Sequence, residues 1–291
     1  MSTATVSRPT VPAAEFAARH GLTPSSARPP FLTYVRQLWQ RRHFITSFAT
    51  SRATSMYAGA RLGQLWQVLT PLMNAAVYYF IFGFLFQGAR HIDNFIAFLV
   101  TGVFVFSFTS RSVTSGARAV AGNLGLIRAL HFPRAALPFS LTIVELQQML
   151  VSMIVLFAIV LATGEPLTWA WLTVIPALLL QTIFNAGLSL AIARVGARIP
   201  DVSQLLPFLT RTWLYMSGVL YSIPQRIHQQ PLLDIMLANP ATVYIELVRD
   251  ALIEKHAAPH HIWELAVAWA VVAFCVGFWY FWAAEEKYGR G

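Results

Sequence analysis

The side chains able to do chemistry are few, and one of them lies in an unusual place. Glu145, followed by Gln147 and Gln148, stands midway along an apolar run, where a buried carboxylate needs a partner or water. Arg111 and Arg211 lie at similar depths in other apolar runs and could neutralise it. Two interpretations stay open: a structural ion pair between Glu145 and Arg211, or a contact between Glu145 and a substrate.

The positions of the lysines exclude a nucleotide-binding P-loop within the chain. A phosphate-binding P-loop needs Gly-Lys-Ser/Thr, whereas the only two lysines, Lys255 and Lys287, each follow a glutamate. No Gly-x-Ser-x-Gly nucleophile elbow occurs either. We therefore predict that the chain is not an enzyme and binds no cofactor, and that any ATP must be hydrolysed by a separate partner.

Metal chemistry has little support in the sequence. The single cysteine, Cys275, excludes an internal disulfide and a cysteine-based metal site. The eight histidines do not form the helical pair of a zinc protease. A metal on His256, His260 and His261 is conceivable, but solvated loop histidines fit their setting better, and we predict no metal.

The composition indicates that the elements carrying these residues lie in lipid. Hydrophobic residues make up 56% of the chain, charged residues only 11%, and the mean hydropathy is +0.56. So few charges cannot cover a water-soluble globule of 291 residues. The net charge of +9 comes mainly from arginines in short segments between apolar runs, which favours membrane topology over nucleic-acid binding.

The apolar runs predict an all-α membrane protein with six transmembrane helices. A bilayer core about 30 Å thick requires roughly 20 apolar residues per helix. The predicted spans cover residues 64–87, 95–115, 136–162, 168–192, 204–222 and 264–283. An even number of spans leaves both termini on one side.

The arginines predict that this side is the cytoplasm, because loops retained inside carry the positive excess. The outer segments then hold only Arg90, Arg226, Arg249 and Lys255. The inner segments hold Arg8, Arg19, Arg28, Arg36, Arg41, Arg42, Arg52, Arg61, Arg118, Arg128, Arg134, Arg194, Arg198, Lys287 and Arg290. We predict a multi-pass protein of the plasma (inner) membrane.

The chain ahead of the first span divides into two parts. Residues 1–30 lack the apolar core of a signal peptide and are predicted to be a disordered cytoplasmic tail. Residues 31–63 are predicted to lie at the inner interface, because apolar side chains recur at helical spacing; these are Phe31, Tyr34, Val35, Leu38 and Trp39. A soluble helix packed on the cytoplasmic loops is the alternative.

The long outer segment between spans five and six predicts short amphipathic or re-entrant helices. One helix should begin at Asn239-Pro240, because asparagine caps helices and proline suits their first turn. Its expected apolar face is Val243, Tyr244, Leu247, Val248, Ala251 and Leu252, opposite Glu246, Arg249 and Asp250. An extracellular loop with one surface helix is the alternative.

A few aromatic residues within or beside the spans could line a path for sugars. Inward-facing rings can stack on sugar rings, although ordinary packing explains them equally. The path residues suggested by position are Tyr78, Tyr79, Trp213, Tyr215 and Tyr221, together with Glu145 and Arg211.

Several motifs follow one another in a family-specific order. Residues 57–66 read Tyr-Ala-Gly-Ala-Arg-Leu-Gly-Gln-Leu-Trp, and Pro71-Leu72 follows inside span one. Further matches are Phe132-Pro133-Arg134, Asp201, Asn239-Pro240 and Arg249. Over residues 31–291 the chain resembles the permeases of type 2 ABC polysaccharide exporters, the Wzm-like and teichoic-acid-exporting subunits. It departs from them at Pro200 and Gly218, which puts local loop and kink details in doubt.

This resemblance implies an assembly and a cargo. It implies a homodimer of six-span subunits, and a Wzt-like ATPase docked on the loop between spans two and three. The coupling residues there would be Asn123, Leu124, Leu126, Ile127 and Arg128, unless the loop is only a basic tether. The cargo would be a lipid-linked cell-envelope polysaccharide of O-antigen, teichoic-acid or galactan type, with a closer similarity to actinobacterial galactan exporters.

The same resemblance leaves rival functions open. Arg41, Arg42, Arg52 and Arg61 would contact a lipid diphosphate near the inner interface, or would only fix orientation. A permease for drugs or antibiotics would share the fold. A membrane-embedded glycosyl or acyl transferase is the rival from another class.

Overall fold

The structure is a computed structural model that describes residues 28–56, 59, 61–81, 92–130, 132–227 and 229–288. Within these ranges all regular elements are helices and no strand occurs, as expected for a chain whose backbone must be satisfied in lipid. The predicted disordered tail, except for residues 28–30, lies outside the described residues.

The described α-helices are numbered here in chain order. They are α1 (Phe31–Gln40), α2 (Arg42–Ser55), α3 (Trp66–Tyr78), α4 (Phe95–Ala117), α5 (Leu124–Ala129), α6 (Ala136–Ala162), α7 (Val174–Arg198), α8 (Val202–Met216), α9 (Ile223–Arg226), α10 (Gln230–Leu237), α11 (Pro240–Leu252) and α12 (Ile262–Trp282). Short 3-10 turns precede α3, α5 and α7, and another follows α12.

Four of the predicted spans are confirmed as helices long and apolar enough to cross a membrane. They are α4, α6, α7 with its preceding turn (Trp169–Arg198) and α12, which run for 23, 27, 30 and 21 residues. At 1.5 Å per residue each exceeds about 30 Å, the thickness of the hydrocarbon core. The protein is therefore a multi-pass membrane protein.

The other two predicted spans correspond to shorter helices. The first is described as α3, and residues 82–87 of that predicted span lie outside the described residues. The fifth is α8, which has 15 residues and ends at Met216. The prediction that this helix continues to residue 222 is wrong, because the chain turns at Gly218, whose φ of +62° is left-handed.

The segment after α8 folds into three short helices. The axes of α10 and α11 are bent by 76° at the break between them. The predicted start of α11 is confirmed, because the Asn239 side chain accepts a hydrogen bond from the backbone N–H of Ala241 at 3.1 Å. The predicted polar face is wrong in one respect: Arg249 is fully buried.

The core is organised around α4, which packs against α6, α7 and α11. Helices α7 and α12 approach so closely that a Cβ atom at Gly277 would clash with the backbone of Gly187, and one at Gly187 with the backbone of Ala273. Helices pack this closely in membranes where small residues let their backbones meet.

A second hydrophobic cluster lies at the end of the bundle that carries the first and last described residues. Leu38 of α1 and Leu126 of α5 pack against it together with residues of α6, α7 and α12. The Trp282 indole donates to the Pro29 carbonyl at 3.2 Å. The segments before the first span are thus attached to the bundle.

Candidate functional site

A polar cleft of about 360 Å³ opens between α3, α4 and α8. Such a cleft is unusual within apolar helices, because polar side chains inside a membrane are costly and tend to serve a function. Its polar lining consists of Thr70, Asn74, Tyr78, Ser107, Ser110, Arg111, Thr114, Thr210 and Arg211.

The spacing of residues along each helix explains why the cleft forms. On α4, the lining residues Ser107, Ser110, Arg111 and Thr114 recur at steps of three and four, so they share one face of the helix. The same step places Pro207, Thr210, Arg211 and Leu214 on one face of α8, and Thr70, Asn74 and Tyr78 on one face of α3. Three polar stripes thus meet along one groove.

Both α3 and α8 contain an internal proline at the cleft. Pro71 and Pro207 each line it. A proline removes one backbone hydrogen bond of its helix and tends to kink it. Helices α3 and α8 are therefore the elements of the cleft wall best suited to change shape.

Glu145 pairs with Arg111, and the predicted pair with Arg211 does not form. The Arg111 Nε donates to Glu145 Oε2 at 3.1 Å. The glutamate side chain is 6% exposed, whereas the arginine side chain is 28% exposed. Glu145 therefore lies behind the cleft wall and holds an arginine that faces the cleft.

Arg211 faces the cleft from α8 as an exposed side chain. It makes no hydrogen bond or ion pair with any residue that the structure describes. None of the described lining residues is acidic. The cleft consequently presents positive charge and hydroxyl and amide groups without a competing carboxylate.

The remaining predicted path residues lie outside this cleft. Tyr79 is 44% exposed and its ring is 6.3 Å from that of Phe95. Tyr215 is also exposed, and its carbonyl accepts from the Tyr221 hydroxyl at 3.1 Å. Trp213 points to a neighbouring face of α8 and donates to Asn239 at 2.8 Å.

That neighbouring face of α8 borders an entirely apolar cavity of about 400 Å³. Trp213, Phe184 and Trp269 are among its lining residues, and Thr210 lines both cavities. Helix α8 therefore separates a polar space from an apolar one.

The predicted coupling residues lie in the 3-10 turn before α5 and in α5 itself. Asn123 donates to the Ala119 carbonyl at 2.8 Å and so anchors the turn. Ile127 is 7% exposed and packs inward, Leu126 is half-buried, and Leu124 is 36% exposed. Arg128 is exposed as well. Of the three apolar side chains, Leu124 is the one available to a partner.

The four arginines suggested as diphosphate contacts are all exposed. Arg41 and Arg42 lie between and at the start of the two N-terminal helices, Arg52 near the end of α2, and Arg61 before α3. The Arg42 guanidinium lies 5.5 Å from the ring centre of Trp39. None of these four residues lines the cleft.

A buried polar cluster around Arg249, the Arg249 cluster, was missed by sequence reasoning. The Arg249 guanidinium donates to the carbonyls of Phe98, Gly218 and Val219 at 3.0–3.2 Å. It also pairs with Glu246 at 2.8 Å, and Glu246 in turn contacts His256. The cluster joins α11 to α4 and to the turn after α8.

A second buried cluster lies at the end that carries the first and last described residues. The Tyr34 hydroxyl donates to Glu285 at 2.8 Å and accepts from the Ala135 backbone N–H at 3.1 Å. The Arg134 backbone N–H donates to the same carboxyl at 2.9 Å. Burial raises the pKa of Glu285 above its ordinary value, because these contacts recover only part of its lost hydration.

No group of three or more histidine, cysteine or acidic side chains is placed to hold a metal within the described part of the chain. His256 instead contacts Glu246 and lies with its ring 6.0 Å from that of Phe98. It is therefore half-buried within the Arg249 cluster rather than a solvated loop residue.

Comparison with known proteins gives a consistent result. The family model described as ABC-2 type transporter matches residues 45–253. An O-antigen export system permease protein, RfbA, from Myxococcus xanthus is 26% identical over 77% of this chain and 85% of its own length. Its counterpart from Klebsiella pneumoniae is 29% identical over 62% of this chain and 73% of its own.

A third relative is named for the transport of a different polysaccharide. The polysialic acid transport protein KpsM from Escherichia coli is 26% identical over 66% of this chain and 74% of its own length. The family match covers α3 to α11 and includes every helix that lines the polar cleft. The chain belongs to the ABC-2 type transporter family.

Proposed function

We propose that this chain is the membrane-spanning subunit of an ATP-driven exporter, and that its cargo is a lipid-linked cell-envelope polysaccharide of O-antigen, teichoic-acid or galactan type. The observation that carries the proposal is the polar cleft lined by matching stripes of α3, α4 and α8. Hydroxyl, amide and guanidinium groups suit a hydrated sugar chain better than an apolar drug. The relatives named for O-antigen export and polysialic acid transport support this cargo class.

In this proposal the chain crosses the plasma membrane six times, with α3 and α8 in the first and fifth spans. Both termini lie in the cytoplasm, in agreement with the distribution of arginines. Helices α1 and α2 lie at the inner interface, where Trp39, 71% exposed, would meet lipid headgroups. The bent pair α10 and α11 re-enters the membrane from outside.

A second copy of the chain completes the path in this proposal. One cleft is open along α3 and α8, and both helices expose large apolar side chains beside it; examples are Met73, Val77, Leu205 and Phe208, which are 54–73% exposed. Pairing of these faces across a twofold axis would enclose two clefts in one channel.

A separate Wzt-like subunit supplies the energy by hydrolysing ATP with Mg. It docks on α5 through the exposed Leu124, with Asn123 fixing the turn. Because α5 leads directly into α6, whose Glu145 holds Arg111, movement of α5 would reach the cleft wall. Arg41, Arg42, Arg52 and Arg61 would receive the lipid diphosphate at the inner interface.

Depletion of the protein in its host tests this proposal. Lipid-linked polymer should accumulate on the cytoplasmic side while the surface polysaccharide declines. Complementation with Ser110→Trp, which places a large side chain in the cleft, should fail to restore export. Ile154→Trp is the matched control, because Ile154 is 70% exposed on the lipid-facing side of α6.

The readout is surface polysaccharide and cytoplasmic lipid-linked polymer, with the membrane level of each variant measured alongside. A normal surface polysaccharide under full depletion would overturn the assigned cargo. Restoration of export by Ser110→Trp at normal membrane levels would overturn the cleft as the path.

A further inference from the structure

We propose that the polar cleft contains a binding site for a phosphate group of a membrane amphiphile, with Arg211 as its principal ligand and Arg111 as its second. The proposed export function supplies one source of that phosphate, the lipid-linked cargo. Anionic phospholipid headgroups are the other source. Arg41 and Arg52 do not line the cleft and are not part of this site.

The first argument is that Arg211 lacks a partner where the other deeply placed arginines have one. Arg249 donates to three carbonyls and a glutamate. Arg194 donates to the Tyr280 carbonyl and stacks on its ring. Arg211 has neither kind of contact with the described residues, although a charge within a membrane helix needs a partner, water or a ligand.

The second argument is the chemistry of the groups that share the cleft with Arg211. Arg111, Ser110, Asn74 and Tyr78 all line it, and all of them carry hydrogen-bond donors. A phosphate offers several acceptor oxygens, and guanidinium groups bind it with two parallel hydrogen bonds. An acidic lining residue would repel it, and none is present among the described ones.

The third argument is the way Glu145 fixes the second arginine. The carboxylate accepts from the Nε of Arg111 at 3.1 Å from behind the wall. The terminal amino groups of that guanidinium make no described contact and remain available to the cleft. Arg111 is thereby oriented in advance, which lowers the entropy lost when an anion binds.

The experiment uses the protein together with its ATPase subunit in nanodiscs of phosphatidylcholine. A polyprenyl diphosphate is titrated, and its affinity is measured by the change in intrinsic tryptophan fluorescence. Arg211→Gln should weaken binding by about 10- to 100-fold, as expected for loss of a charged hydrogen-bonding group. Arg211→Lys, which keeps the charge without the planar fork, should show an intermediate loss.

The matched control is Arg226→Gln, an exposed arginine outside the cleft, which should bind as the unchanged protein does. Unchanged affinity in Arg211→Gln would overturn the site. An equal loss in Arg211→Gln and Arg226→Gln would also overturn it, because the effect would then be general surface charge.

Competition identifies the source of the phosphate. Phosphatidylglycerol added to the nanodiscs should displace the diphosphate only weakly if the cargo is the ligand, and fully if phospholipid headgroups occupy the site. Either result retains the phosphate site. If depletion leaves surface polysaccharide normal while Arg211→Gln still loses binding, the proposed function fails and the site stands.

Discussion

Arg249 and Arg211 are both arginines on helices, but they differ in burial and in hydrogen bonding. Arg249 is fully buried and donates to three carbonyls and to Glu246. Arg211 is exposed to a cleft lined by donors and contacts no described acceptor. The first arginine has used its hydrogen-bonding capacity to join helices, whereas the second keeps that capacity for a ligand.

The same contrast separates the two ends of the bundle from its open cleft. At the end that carries the first and last described residues, Tyr34 and Arg134 both donate to Glu285. At the other end Arg249 pairs with Glu246, which also contacts His256. Polar groups that satisfy each other stabilise the fold, and those left unsatisfied at a surface indicate where a partner binds.

The largest effect is expected from breaking the Arg249 cluster. Arg249→Met keeps much of the side-chain volume but leaves Glu246 and three carbonyls without their donor. Removal of one partner from a buried pair costs about 3–5 kcal/mol. The measurement is the unfolding temperature of detergent-solubilised protein, and it should fall sharply.

Arg226→Met is the control for that variant, because Arg226 is exposed at the same end of the molecule. Its effect should stay within about 0.5 kcal/mol, as is usual for surface substitutions. If both variants melt alike, Arg249 is not the structural residue that the comparison requires.

The sequence predicted the confirmed spans because their signal is local. In α6 the predicted and observed bounds agree at both ends, residues 136–162, since an apolar run of that length has few alternatives in lipid. The end of α8 was missed because Val219, Leu220 and Tyr221 continue the apolar run. Only the backbone at Gly218, with its φ of +62°, breaks the helix.

The two arginines show what sequence reasoning lacks. On a helical wheel Arg249 belongs with Glu246 on a polar face, and nothing local reveals the distant carbonyls of Phe98 and Val219 that receive it. The polar residues of the cleft were easier to recognise from the sequence. Ser107, Ser110, Arg111 and Thr114 recur at helical spacing inside one predicted span, so a search for polar stripes would have found them.

A smaller loss of stability than that of Arg249→Met is expected at the contact between α7 and α12, which is held by close packing rather than by a polar cluster. A Cβ atom at Gly277 would meet the backbone carbonyl of Gly187 across the contact between α7 and α12. Gly277→Ala should therefore destabilise the protein by about 1–3 kcal/mol, the usual cost of overpacking. Thermal unfolding in detergent measures it.

The control is Gly125→Ala in α5, where a Cβ atom meets nothing within 4 Å. Alanine is the better helix former by about 1 kcal/mol, so this variant should unfold at the same temperature or a higher one. A stabilising Gly277→Ala would show that the two helices are free to separate.

A pH-dependent effect is expected at the cluster of Tyr34, Glu285 and Arg134. Because burial raises the pKa of Glu285 in the folded state, the folded protein holds its proton more tightly than the unfolded chain does. The stability that this group contributes is present below its ordinary pKa of 4.5 and is lost as the pH rises through the folded value. Glu285→Gln should remove this slope from a series of unfolding temperatures measured upward from pH 4.5.

Glu264→Gln serves as the control for that series, because the Glu264 side chain is 78% exposed. The unfolding temperature of this variant should keep the same dependence on pH as that of the unchanged protein. A Glu285→Gln variant with the same pH dependence as the unchanged protein would place the slope elsewhere. The raised pKa of Glu285 would then not contribute to the pH dependence of the unfolding temperature.

The smallest effect on stability is expected from Arg211→Gln. The guanidinium faces the cleft and bonds to no described residue, so its loss should change the free energy of unfolding by no more than about 0.5 kcal/mol. A large drop in unfolding temperature would mean that Arg211, like Arg249, holds the fold together. A near-zero change combined with weaker binding of a phosphate-bearing lipid would separate the two arginines, because only a ligand-binding group can lose its function without cost to the fold.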